Sequence, residues 1–306
     1  MSQYFLGVDG GQSSTTAVIG DEAGRVVGTG QGGPCNDLVP AIRASVGEAC
    51  ARAGLRLETT RFSAVCLGLS GGTADKEPVV REILRVDRML LTDDATIALT
   101  GATCGEPGIV VIAGTGSIAY GRNPEGRTMR AGGWGYVFGD EGGAFWIARQ
   151  AIRIALREEE GWGEPSSLRG RLLDATGAAS MNDLMHRCYA PEFPKSRVAA
   201  LAVLVDAAAE DGVAVARDIL EDAARELVRL ATAVRGQLFT PPEPAVVAWW
   251  GGVFRSPIVL ARFRHILEAE AGVLVKPRMH EPAIGALLEA YRAAGLAVSN
   301  IPALKP

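Results

Sequence analysis

Cysteine is scarce in this chain of 306 residues. Its five cysteines (Cys35, Cys50, Cys66, Cys104 and Cys188) are scattered. An odd count without Cys-x-x-Cys spacing argues against a disulfide framework, a zinc site or a local iron–sulfur loop. Reduced thiols are the expectation, as in cytoplasmic proteins. The three histidines, His186, His265 and His280, form no His-Glu-x-x-His pattern. No apolar run approaches the roughly 20 residues that span a bilayer. The opening MSQYFLGVDGG has neither a basic n-region nor a cleavable apolar core, so no signal peptide is expected. The formal net charge is −4 with acids and bases interspersed, which leaves no basic stripe for nucleic acid. No Gly-x-x-x-x-Gly-Lys-Ser/Thr occurs, and that excludes a Walker loop.

What is present is apolar and periodic. Hydrophobic residues make up 48% of the chain and run along its whole length, enough for one large or two medium cores. The spacing predicts three strands near Tyr4–Val8, Thr15–Ile19 and Arg25–Gly30, then a helix from Val39 to Ala53. A buried strand FSAVCLGLSGG, a short helix from Glu77 to Leu84, the strand MLLT and a helix from Asp94 to Thr103 follow. After a Gly-Glu-Pro-Gly hinge at Gly105, strands are expected at Gly108–Ala113, Ser117–Gly121 and Arg127–Ala131. Their order echoes the N-terminus, a weak internal repeat. Gly142 to Arg235 reads as alanine-rich helix. The strand AVVAWW, a helix from Pro257 to Ala271, the strand VLVKP and a helix from Pro282 complete the pattern. Alternating strands and helices in two related halves imply α/β layers.

Three glycine motifs mislead. GLSGG (Gly68–Gly72) matches a hydrolase elbow, but no helix directly follows Ser70. GTGSIA at Gly114 and GTGQGG at Gly28 match dinucleotide fingerprints, yet neither opens a helix. The opening hairpin is more informative. In DGGQSST, the backbone of Gly10 and Gly11 can approach phosphate oxygens closely, and Ser13, Ser14 and Thr15 can donate further hydrogen bonds. Asp9 would repel phosphate unless a cation lies between, which suggests Mg²⁺ held through water. An ordinary polar hairpin turn is the alternative. The turn Gly114-Thr115-Gly116-Ser117 repeats the design in the second half. Two such turns, one from each half, suit a clamp on a triphosphate.

The segments GVDGGQSSTTAVI, GGPCN, LGLSGG, LTDDATIAL, VIAGTGSIAYG, GGWGYVFGDEGGAFWIARQA and WWGGVFRS cover nearly the whole chain. In this order they resemble the superfamily of actin-like ATPases and sugar kinases. Within it the chain resembles the N-acetylglucosamine kinase-like branch of the BadF/BadG/BcrA/BcrD ATPase family. That resemblance implies two actin-like ATPase (ribonuclease H-like) α/β domains flanking a nucleotide cleft. One would take residues 1–105 plus a C-terminal helix over 282–306, the other 106–281. It implies ATP and Mg²⁺ as cofactors, an amino-sugar substrate phosphorylated at the 6-hydroxyl, and a homodimer. Acetylated and free glucosamine both remain open as substrates. The family also holds activator ATPases that bridge subunits with an iron–sulfur cluster, but no cysteine here lies in such a glycine-rich loop.

Residue roles follow from the same resemblance. The catalytic base is placed just before an alanine, which selects Asp94, with Asp93 as the fallback and helix capping as the alternative for either. Asn36 contacts the sugar. Gly133, Trp134, Gly135, Ser117 and Asp140 contribute to the same pocket, with Trp134 either covering a sugar face or packing. Gly251, Gly252 and Ser256 lie against adenine and ribose.

Overall fold

The computed structural model describes residues 3–71, 75–240 and 243–296. The chain divides into two compact units, one running to Gly108 and resuming at Pro277, the other Ile109–Lys276. The first holds β1 (Tyr4–Gly10), β2 (Thr15–Asp21), β3 (Val26–Gly32), α1 (Leu38–Arg52), β4 (Arg61–Leu69), α2 (Lys76–Ile83), β5 (Arg85–Thr92) and α3 (Asp94–Thr103). The second holds β6 (Gly108–Ala113), β7 (Ser117–Arg122), β8 (Thr128–Gly132) and α4 (Ala144–Glu159). It continues with α5 (Leu168–Thr176), α6 (Met181–Cys188), α7 (Lys195–Ala200), α8 (Ala202–Glu210) and α9 (Ala214–Leu238). After β9 (Ala245–Trp250), α10 (Pro257–Glu268) and β10 (Val273–Val275), the chain returns to the first unit as α11 (Pro282–Ala293). The expected continuation of that helix over 297–306 lies outside the described residues, as does Gly72 of GLSGG.

The first sheet has the order β3-β2-β1-β4-β5. β1 pairs antiparallel with β2 and parallel with β4, and β4 pairs parallel with β5. Strand alternation divides its side chains between two helical layers. Leu6, Val8, Ala17 and Ile19 pack on Ile42, Val46 and Ala49 of α1. On the opposite face Phe5, Val18, Ala64 and Cys66 pack on Ile97 of α3 and on Ala283, Leu287 and Tyr291 of α11. The rings of Phe5 and Tyr291 lie 4.6 Å apart, and the buried Tyr291 hydroxyl donates to the Asp21 carbonyl at 2.7 Å. The glycines of GTGQGG serve packing: a Cβ on Gly28, Gly30 or Gly32 would run into the α1 carbonyls of Ala49, Ser45 and Ala41. β5 begins earlier than its apolar MLLT core because Arg61 of β4 pairs with Arg85. Its polar first half is stabilised as backbone pairing, which leaves no hydrophobic trace in the sequence.

The second sheet has the order β10-β9-β6-β7-β8, the same arrangement with β6 in the place of β1. β9 pairs parallel with both β6 and β10, and β7 pairs antiparallel with β8. Its core adds a helical layer. On α9, Ala216, Ile219, Leu220, Ala223, Leu227, Ala231, Val234 and Leu238 recur at three- and four-residue steps and are buried. A 3-10 turn over Gly252–Arg255, which begins with the second glycine of the pair, leads to α10, which starts at Pro257 with Ser256 as its cap. No helix of the described residues is long and apolar enough to cross a membrane.

Candidate active site

In the first unit the chemistry gathers at the carboxyl ends of the parallel strands, where open α/β sheets receive ligands. The register aligns Asp9 on β1 with Gly68 on β4, and Gly68 with Thr92 on β5. Asp93 and Asp94 follow β5 directly. Asp93 is exposed and caps α3, its Oδ1 accepting from the Thr96 amide at 2.7 Å. That commits Asp93 and leaves Asp94, half-buried in the first turn, as the carboxylate turned to the strand ends. The Ser70 hydroxyl donates to Asp94 Oδ2 at 2.7 Å. Burial pushes the Asp9 carboxyl up to about 7, helped by the negative charges of Asp94 and then Glu281.

The turn after β1 is tied back at its carbonyls. Gly10 O accepts from the Ser70 amide at 2.9 Å and from Cys35 Sγ at 3.0 Å, and Gly11 O accepts from the Cys35 amide at 3.0 Å. Ser13 and Ser14 are exposed. Thr15 differs from expectation: it is fully buried and its hydroxyl donates to the Gly33 carbonyl at 2.8 Å, so it braces the loop and is closed to a ligand. Asn36 stands exposed beside the anchored, buried Cys35.

The second unit carries the companion turn. Gly114 O and Thr115 O accept from the Ala144 and Phe145 amides at 2.8 and 3.1 Å, which fixes the turn on the start of α4. Among the described residues, no hydrogen bond occupies the Thr115 and Gly116 amides, so both remain available to an anion. Asp140 is buried, has φ +63, and its carboxylate packs on Gly116 while Oδ1 accepts from the Ser117 amide at 3.3 Å. The Ser117 hydroxyl is spent on the Glu141 carbonyl at 2.6 Å, a correction to its expected role on the sugar. Gly133 and Gly135 both have positive φ, and Trp134 between them is 66% exposed with Arg130 over its ring at 5.0 Å, so it does not pack into the core.

β9 ends beside this turn, with Trp250 paired to Ile112. Gly251 has φ +113 and lies against the Ala113 backbone, a position closed to any side chain. Ser256 differs from expectation. Its hydroxyl donates to Asp206 Oδ1 at 2.5 Å and accepts from the Val259 amide at 3.3 Å, so it caps α10 rather than facing solvent. Trp249 and Trp250 are half-buried. None of the five cysteines forms a disulfide, and no cluster of three or more His, Cys, Asp or Glu side chains arranged for a metal occurs among the described residues.

Ser70, Lys76 and Glu281 escaped sequence reasoning as site residues. GLSGG was the signal for Ser70. Glu281 had none, because only the packing of α11 on β1 brings it near Asp9.

The sequence pattern of the BadF/BadG/BcrA/BcrD ATPase family matches residues 6–290. The chain belongs to the BadF/BadG/BcrA/BcrD ATPase family. Membership implies ATP as its nucleotide. An N-acetylmuramic acid/N-acetylglucosamine kinase of Clostridium acetobutylicum is 35% identical over 83% of this chain and 86% of its own length. An N-acetyl-D-glucosamine kinase of Dictyostelium discoideum is 28% identical over 94% of this chain and 97% of its own. A solved structure from Chromobacterium violaceum, described as a "Putative N-acetylglucosamine Kinase", superposes with a TM-score of 0.77 at 27% identity, covering 94% and 98% of the two chains. The two matched five-stranded sheets are those of a two-domain actin-like ATPase fold.

Proposed function

We propose that this member of the family is an ATP-dependent amino-sugar kinase that transfers the γ-phosphoryl group of ATP to the 6-hydroxyl of N-acetylglucosamine. The observation that carries the reading is Asp94, a half-buried carboxylate at a strand end with one oxygen held by Ser70. The other oxygen can accept the proton of the sugar hydroxyl as that oxygen bonds to the γ-phosphorus and the bond to the β,γ-bridging oxygen of ADP breaks. The similarity to N-acetylglucosamine kinases over most of the chain supports the acceptor.

Asp9 fits a hard divalent cation. Its carboxyl is driven up to about 7 by burial and by Asp94 and Glu281, an electrostatic setting that a positive charge relieves. Mg²⁺ held there, through water, would neutralise charge on the phosphates. The turn at Gly10–Ser14 in the first unit and that at Gly114–Gly116 in the second each offer backbone amides suited to phosphate, and Gly251 and Gly252 give a flat surface suited to adenine and ribose. Asn36, Gly133, Gly135 and Trp134 offer polar and aromatic contacts to the sugar. Asp140 serves it from behind, by holding the Gly116–Ser117 backbone.

The test is ADP release measured over N-acetylglucosamine, N-acetylmuramic acid, glucosamine, glucose and no sugar. Turnover that requires N-acetylglucosamine supports the reading. Preference for glucosamine moves the acceptor to the free amine, and turnover indifferent to every sugar replaces the kinase with an activator ATPase.

A further inference from the structure

We propose that Ser70 is a positioning residue for the catalytic carboxylate, the group that orients Asp94 toward the acceptor hydroxyl. This rests on the kinase reading above. Ser70 follows the last residue of β4 in GLSGG, where a nucleophile would sit in a hydrolase, but its hydroxyl is donated to Asp94 Oδ2 at 2.7 Å. An aspartate in the first turn of a helix has free rotation about χ1 and χ2 unless something holds it. On α3 the N-cap bond is taken by Asp93, so capping does not hold Asp94. The Ser70 hydroxyl does. It engages one oxygen and directs the second away from itself, as the orienting member does in an acid–base pair.

The backbone of Ser70 shows why the hydroxyl is held in place. Its amide donates to Gly10 O at 2.9 Å, on the turn that follows Asp9. Its carbonyl accepts from Lys76 Nζ at 3.3 Å and lies 3.9 Å from Cys35 Sγ. Cys35 in turn precedes Asn36 and donates to Gly10 O. Ser70 thus links, through one residue, the nucleotide turn, the Asn36 loop and the proposed base. A displacement of any of these loops moves the Asp94 carboxylate with it. Those links run through the backbone, which a substitution keeps, whereas the hydroxyl bonds Asp94, so the serine side chain is tied to the rate of the chemical step and not to the affinity of either substrate.

The test compares wild type with Ser70→Ala and Ser70→Thr, using initial rates and thermal unfolding. Ser70→Ala is expected to lower kcat about 30-fold, within the range a misaligned base produces, with KM for ATP and sugar within about twofold and Tm essentially unchanged. Ser70→Thr keeps the hydroxyl and is expected to recover most of kcat. An active wild type whose Ser70→Ala variant retains kcat within twofold overturns this role alone. So does a loss of kcat in Ser70→Ala that Ser70→Thr fails to restore, or one that appears only as raised KM or lowered Tm. A wild type without sugar-dependent turnover removes the proposed function, and this role with it.

Discussion

The two units build the same five-stranded sheet but equip its equivalent turn differently. At the end of β1 the chain reads Asp9-Gly10-Gly11; at the end of β6 it reads Ala113-Gly114-Thr115-Gly116. The first unit puts a carboxylate at the strand end and sets Asp94 and Glu281 near it, accumulating negative charge. The second has alanine there and pins the turn's carbonyls on α4, presenting amides instead. The first arrangement suits a cation and a proton acceptor, the second an anion. On the proposed kinase reading, one architecture duplicated can therefore serve as a chemical half and a gripping half, because each sheet gathers its own strand ends whatever side chains they carry.

Substitutions can break that division. The largest effect is expected from Asp94→Asn, which removes the proton acceptor: kcat should fall about 10³-fold, while nucleotide affinity, measured calorimetrically, stays within a few fold. Retained turnover would return the role to another group. Asp9→Asn should also abolish most turnover, yet raise the stability of the metal-free protein. The Asp9 carboxyl is raised in the fold, so native protein holds its proton between the ordinary value of 3.8 and about 7 while unfolded chain releases it. Stability then falls as pH rises through that window, and the penalty is complete above about 7. The variant should gain about 4 kcal/mol at pH 8, a gain that shrinks as the pH drops toward 4; denaturant unfolding at the two pH values checks it.

Changes in the gripping half should act on affinity. Gly116→Ala sets a Cβ against the Asp140 carboxylate and displaces the turn, so KM for ATP is expected to rise about tenfold with a smaller change in kcat. An unchanged KM would detach this turn from the nucleotide. The smallest effect belongs to Asp21, at the end of β2 away from the turn between β1 and β2. Burial tends to raise its carboxyl, but the Arg25 guanidinium and the amides of Arg25 and Ala23 outweigh that and hold it below the usual range. Its contribution is therefore present above pH 4 and lost as pH falls through its lowered value. Asp21→Ala should cost about 1 kcal/mol at pH 7, most of it from the two backbone amides it leaves unpaired because Arg25 is exposed, and leave turnover intact.

The legible parts of the molecule were those written locally. Asp93 before an apolar helix, and the glycines that follow FSAVCLGL and AVVAWW, mark where α3 begins and where β4 and β9 end, and the structure places them there. The polar half of β5 was not legible, because an edge strand is held by its neighbour's backbone. Nor was the function of Gly28, Gly30 and Gly32, whose partner carbonyls lie on α1.

Sequence alone determined the paired architecture, the two glycine turns and the carboxylates at the strand ends, since turn chemistry and periodicity act over a few residues. Tertiary structure decided the rest. It set the Ser70 hydroxyl against Asp94, buried the Thr15 hydroxyl and turned those of Ser117 and Ser256 onto protein partners. It also raised Asp9 by gathering charges from α3 and α11. Which hydroxyl is free and which carboxylate is strained depends on partners that only folding brings within hydrogen-bond reach, as Ser70 and Asp94 show across 24 residues of chain.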